Sequence, residues 1–188
     1  METRRSTAEQ RRAEAIAAGM RVFADHGLTT SSIQQVANEI GVSQPYVFRL
    51  FGSKHAFFLA CLDEMERQIR ELFRRAAATS PADPWPAMRA GFRELLAGGV
   101  ITGLWLQACA TARRDEAVAA RCRSVISGIL EETARLTDAG SDDLARGLAD
   151  GALVVMLQAV GVDLAGGSLA AIDSLRADSS TSASPHHG

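Results

Sequence analysis

Between positions 43 and 49, Ser43, Gln44, Tyr46 and Arg49 fall on the outer side of one short helical stretch. Their chemistry suits nucleic acid. A glutamine amide can both donate to and accept from adenine, a guanidinium can address guanine or a phosphate, and a phenol can meet a thymine methyl or a phosphate. Pro45 lies in the first turn of that stretch, where its missing N–H costs nothing. Lys54, the only lysine in the chain, stands at the first turn of the next helical pattern. A cation is mildly unfavourable there, but a phosphate would meet both the ammonium and the unpaired backbone N–H groups. Upstream, Ser31 or Ser32 opens another helix with Gln34 or Gln35 three residues on, the spacing of a capping box, and offers a similar anion site.

Helices must hold these groups in place. After an arm over residues 1–8 that reads as disordered, Ile16, Met20 and Phe23 mark the buried face of a helix from Thr7 to His26, which Gly27 stops. Ile33, Val36, Ala37 and Ile40 make a narrow apolar stripe on the second helix. Gly41 turns the chain, Val42 fills the corner, and Val47 and Leu50 face back from the third helix. Two short helices crossing at a small-residue turn form a helix-turn-helix. Ser53 caps a fourth helix to about Ala78, whose Phe58, Leu62, Met65, Ile69, Leu72 and Phe73 keep helical spacing. The cluster from Ser80 to Pro86 breaks the chain. Four further helices follow, the last two over about Asp115–Thr137 and Asp142–Asp163, with a turn or two over Leu169–Leu175.

Composition excludes several classes of function. The 188 residues are 47% hydrophobic and rich in Ala and Leu, which favours an all-α fold with a real core. Net charge is −2, yet residues 1–54 hold seven basic side chains against five acidic, and the remainder thirteen against seventeen. That asymmetry permits phosphate contact at the N-terminus without coating the protein in positive charge. No apolar run reaches the ~18 residues of a membrane span and no signal peptide is visible, so the expectation is a cytoplasmic protein without membrane contact. Cys61, Cys109 and Cys122 are odd in number and lack metal-ligand spacing, as expected for reduced thiols. His26, His55, His186 and His187 sit in no pattern with a nucleophile or carboxylate, and no phosphate loop or zinc motif appears. Neither an enzyme, a metal site nor a cofactor is expected.

Gly27, Ser31-Ser32-Ile33, Val36-Ala37, Gly41-Val42-Ser43-Gln44-Pro45, Phe51 and Ser53-Lys54, taken as an ordered set over roughly residues 12–60, resemble the N-terminal domain of TetR-type (tetracycline-repressor-like) transcriptional regulators. The resemblance implies that Ser32 and Lys54 touch phosphate and that Gln44, Pro45 and Tyr46 fall on variable base-contacting positions. Ser43 and Arg49 complete the expected DNA-binding set. One position departs from the family: Phe48 stands where a tyrosine hydroxyl usually reaches phosphate.

The rest of the chain matches that family in architecture only. The expected organisation is a DNA-binding domain over residues 1–54, a helical effector-binding and dimerisation domain over 55–175, and a disordered tail over 176–188. One short reading helix covers too few base pairs, so a homodimer on a palindromic double-stranded operator is expected. The last two long helices should form its four-helix bundle, with Gly147, Gly151 and Gly161 permitting close approach. Phe73, Met88, Phe92, Leu96, Trp105, Cys109, Cys122 and Ile126 are expected to line a pocket for a small, largely apolar ligand, with Thr102, Gln107 and Thr111 as polar contacts. The resulting expectation is a transcriptional repressor released from its operator by that ligand. The alternative is a small-molecule-binding protein of the same fold that has lost DNA binding.

Overall fold

The computed structural model describes residues 2–164 and 166–181, and every secondary-structure element among them is a helix. The order is α1 (Glu2–His26), α2 (Thr30–Glu39), α3 (Gln44–Phe51), α4 (Lys54–Thr79), α5 (Trp85–Ala97), α6 (Val100–Ala112), α7 (Glu116–Thr137), α8 (Ser141–Ala159) and α9 (Gly167–Thr181). None of these helices alone is long and apolar enough to cross a membrane.

Two ends differ from the sequence reading. The expected N-terminal arm is helical from Glu2, because no glycine or proline interrupts the chain before Gly19. The expected tail is helical as far as Thr181, since no proline follows until position 185. Residues 182–188 of that tail lie outside the described residues.

Aromatic packing fixes the first four helices. Phe23 of α1 meets Phe57 and Phe58 of α4 edge-on, each at 5.2 Å between ring centroids, and Phe57 in turn stacks on Phe51 of α3 at 4.1 Å. Phe23, Phe57 and Phe58 are fully buried, each contributing roughly 1.5–3 kcal/mol from burial alone. Gly19 is required at the centre: a Cβ there would lie 2.5 Å from the Phe57 ring. The same helix α1 also runs against α6, where Gly103 would place a Cβ 3.0 Å from the Ala24 carbonyl. The short helices at the front are thereby braced on the body behind them.

Candidate nucleic-acid interface and effector cavity

The turn between α2 and α3 pivots on Gly41, whose φ of +67° is strained for any residue with a Cβ. Val47 and Phe51 bury one face of α3. Ser43, Pro45, Phe48 and Arg49 are exposed on the other, and Gln44 and Tyr46 are half-exposed. Arg49 lies over the Tyr46 ring at 4.7 Å, which holds the guanidinium on the helix surface rather than loose in solvent. Ser43 is the N-cap of α3 by backbone conformation, but its hydroxyl makes no capping bond and stays available. Phe48 presents its ring outward, 36% exposed, instead of serving the core.

Anchoring of α3 came from a residue the sequence did not single out. Arg12 of α1 donates from Nη1 to the Leu50 carbonyl at 3.1 Å and lies 4.3 Å over the Phe51 ring. It thus closes the C-terminal end of α3, where a cation interacts favourably with the helix dipole. Arg11 pairs with Glu14, and Arg21 with Glu39, so these basic groups are also spoken for.

Lys54 opens α4 behind Ser53, whose Oγ accepts the Ala56 N–H at 3.0 Å. Ser32 is not placed as expected. The α2 N-cap is Thr29, which accepts the Ser32 N–H; Ser32 itself is fully buried, donating from its hydroxyl to the Gly27 carbonyl at 2.8 Å. Its side chain cannot reach a phosphate, and the capping box to Gln34 or Gln35 does not form. Thr29, Thr30 and Ser31 are the exposed groups at that helix start.

Residues 15–61 match the family of bacterial regulatory proteins known as the tetR family. The match takes in the helix-turn-helix of α2 and α3. The HTH-type transcriptional regulator EthR of Mycolicibacterium smegmatis is 29% identical over 87 residues, which span 46% of this chain and 40% of that protein. In three dimensions, a protein of Pseudomonas aeruginosa described as a transcriptional regulator superposes with a TM-score of 0.64 at 18% identity, over 90% of this chain and 88% of the other. A regulator-like protein of Saccharomonospora viridis, solved with choline, gives 0.59 at 17% identity over 89% and 94%. These last two establish the fold.

Behind the helix-turn-helix head lies a cavity of about 770 Å³ between α4, α5, α6, α7, α8 and α9. Phe73, Met88, Phe92, Trp105 and Ile126 line it as expected, with Phe73 and Phe92 edge-on at 6.2 Å. Leu96, Cys109 and Cys122 do not. Leu96 is fully buried in packing, Cys122 is buried with its thiol pushed up by desolvation, and Cys109 faces outward. Thr102, Gln107 and Thr111 are likewise elsewhere: Thr102 Oγ1 is buried without a partner, the Gln107 amide lies against Gly27, and Thr111 bonds back to the Gln107 carbonyl. The polar lining consists instead of Arg89, Arg93, Asp150 and Thr133. Gly147 and Gly151 serve this cavity rather than a partner helix, since Cβ atoms there would meet the Trp85 ring at 2.7 Å and the Phe92 ring at 3.6 Å. Gly161, with φ of +77°, ends α8.

On its other side α4 is tied to α7 by a ladder of ion pairs. Arg121 reaches Asp63 and Glu66, each at 2.6 Å, and Glu66 takes Arg70 at 3.0 Å. Arg70 continues to Glu132 at 3.0 Å; Arg74 adds 2.9 Å, and Arg135 joins the same carboxylate. Burial pushes the Glu132 carboxyl up, but hydrogen bonds from Arg74, Arg135 and Arg70 overcome it and hold the pKa at about 2. Nearer the head, His55 Nε2 lies 2.9 Å from Asp115 Oδ2, and Asp115 also caps α7.

Proposed function

We propose that the chain is a sequence-specific DNA-binding regulator that acts as a homodimer and responds to a small molecule held in the cavity. Residues 1–54 supply the DNA-binding unit and residues 55–175 the effector and dimer unit. The observation that carries this reading is the outward face of α3, where Ser43, Gln44, Pro45, Tyr46 and Arg49 stand together on a helix pinned by Arg12 and the Phe51–Phe57 stack. A rigid mount is what base readout requires, because each base contact is geometrically exacting. Lys54 and the α4 start contribute phosphate contacts; at α2 the exposed Thr29–Ser31 turn takes the role expected of Ser32.

The dimer face shifts from the pair of helices expected. The outer side of α7 is polar, carrying Arg123, Ser124, Ser127 and Glu131. Apolar exposure concentrates on α8 and α9, at Leu148, Met156, Val160, Leu169, Ile172 and Leu175. A two-fold bundle of α8 and α9 with their mates would cover it. The choline complex of the S. viridis protein supports reading the cavity as an effector site. In this account the effector shifts α4, the spacing of the two heads departs from the ~34–36 Å of successive half-sites, and the protein leaves its operator. That makes it a repressor working in the cytoplasm.

The deciding experiment is titration of the purified protein into DNA from its own promoter region at two salt concentrations. Saturable binding that weakens with salt is expected, and Lys54→Ala should lower the affinity across sequences while Gln44→Ala changes which sequence is preferred. No binding even at low salt would overturn the reading.

A further inference from the structure

The cavity walls say more about the occupant than that it is apolar. Three charged side chains line the space among the described residues: Arg89, Arg93 and Asp150. They are not equivalent. Arg89 lies 5.3 Å over the Trp85 ring and 3.9 Å from Asp150, so its charge is partly answered within the protein. Arg93, one helical turn along α5, is half-buried at the cavity wall and has, among the described residues, neither a carboxylate nor a hydrogen-bond acceptor in contact. Elsewhere the body of this protein pairs its half-buried arginines closely, Arg70 and Arg121 each with two carboxylates. An arginine left unanswered against an apolar wall loses hydration without compensation. An incoming anion would supply it.

We infer that the effector is an amphipathic monocarboxylate, its apolar body among Phe73, Phe92 and Trp105 and its carboxylate on the Arg93 guanidinium. This rests on the effector-site reading above. The planar fork of arginine accepts a carboxylate through two parallel N–H···O bonds, a match that a neutral alcohol cannot make and a cation is repelled by. The single acid at the wall does not favour a cation, because Asp150 already faces Arg89 and the three charges sum to a positive wall.

Three probes with one ten-carbon chain isolate the head group: decanoate, 1-decanol and decyltrimethylammonium, the last used below its micellar concentration. Calorimetric titration into the full-length protein should show decanoate bound about tenfold more tightly than 1-decanol, the worth of one charge-assisted contact. Added salt should shrink that preference, and Arg93→Ala should bring the ratio to about one, with Arg93→Lys intermediate. Because the readout is a ratio within each variant, general loosening of the cavity does not imitate the result. Equal binding of decanoate and decanol, or preference for the ammonium, would overturn the inference while leaving the effector site standing. Failure of all three to bind would overturn both.

Discussion

A Cβ on residue 128 would lie 2.2 Å from Glu66 Oε1, so Gly128 is the gap in α7 through which the Glu66 carboxylate reaches Arg70 and Arg121. Replacing Gly128 by alanine sets two effects against each other. Helix propensity gains about 1 kcal/mol, while displacement of Glu66 sacrifices two charged hydrogen bonds of roughly 1.5–3 kcal/mol each before solvent screening. The loss should win in the wild type, lowering stability by about 1–2 kcal/mol and the melting temperature by several degrees. In a Glu66→Ala background the obstacle is gone and the same substitution should stabilise. Calorimetric melting of the four proteins of this cycle checks it, and a failure of the sign to reverse would refute the gap.

Acid should undo the other end of the ladder. The Glu132 carboxyl sits at about 2 in the folded chain against 4.5 ordinarily. A depressed folded value means stability that is present above about 4.5 and drains away as pH falls toward 2. Urea midpoints measured down that range should fall for the wild type. Glu132→Gln removes the carboxylate shared by Arg70, Arg74 and Arg135, although Arg70 keeps Glu66 and Arg74 keeps Glu71, and should cost about 1–3 kcal/mol at neutral pH after screening of these part-exposed arginines, with the gap to wild type closing as pH nears 2.

Phe48 offers a gain of function. Its ring already points outward from α3, so Phe48→Tyr adds a hydroxyl without burying it. Restoring one phosphate hydrogen bond of about 1 kcal/mol per subunit should tighten operator binding about fivefold per head. Fluorescence anisotropy with a promoter fragment would show it; unchanged affinity would mean that the ring does not face the DNA backbone.

The two-fold face proposed for α8 and α9 predicts an oligomeric change. Met156, 64% exposed on α8, belongs to that apolar surface. Met156→Glu should convert the dimer to monomer in light scattering after gel filtration and weaken operator binding severely, with helix content by circular dichroism unchanged. A variant that remains dimeric would move the interface elsewhere.

The helix-turn-helix was readable because its local chemistry is self-contained: Gly41 sets the turn, Pro45 fits a first turn, and Val36, Val47 and Leu50 can face only one neighbour, although on α3 it is Phe51 rather than Leu50 that is buried with Val47. Ser32 was misread because serine at a helix start is usually a cap, whereas here Thr29 takes the cap and leaves Ser32 to the Gly27 carbonyl. Arg12 and Glu132 were invisible for a related reason, their partners lying far away in sequence. In the cavity, Phe73 and Phe92 followed from periodicity, but periodicity cannot say which of two apolar neighbours a residue such as Leu96 or Cys122 will face. Nothing in the sequence separates Arg93 and Asp150 from other charged helix residues; the packing of α8 on α5 brings both to the cavity wall.

The ladder also has a mechanical reading. α4 runs 26 residues, about 39 Å, and the ladder fastens it to α7 from Asp63 to Arg74, with His55 meeting Asp115 near its start. Phe73 lies within the fastened span, whereas Lys54 stands about 13 Å ahead of Asp63. A displacement at Phe73 would therefore carry α4 and α7 together, and distances from a label on α7 to labels at the exposed Ala56 and Ala78 should stay nearly constant on binding of a small molecule in the cavity. In these terms the two helices form one splint: a push at Phe73 would arrive at Lys54 without a joint on the way.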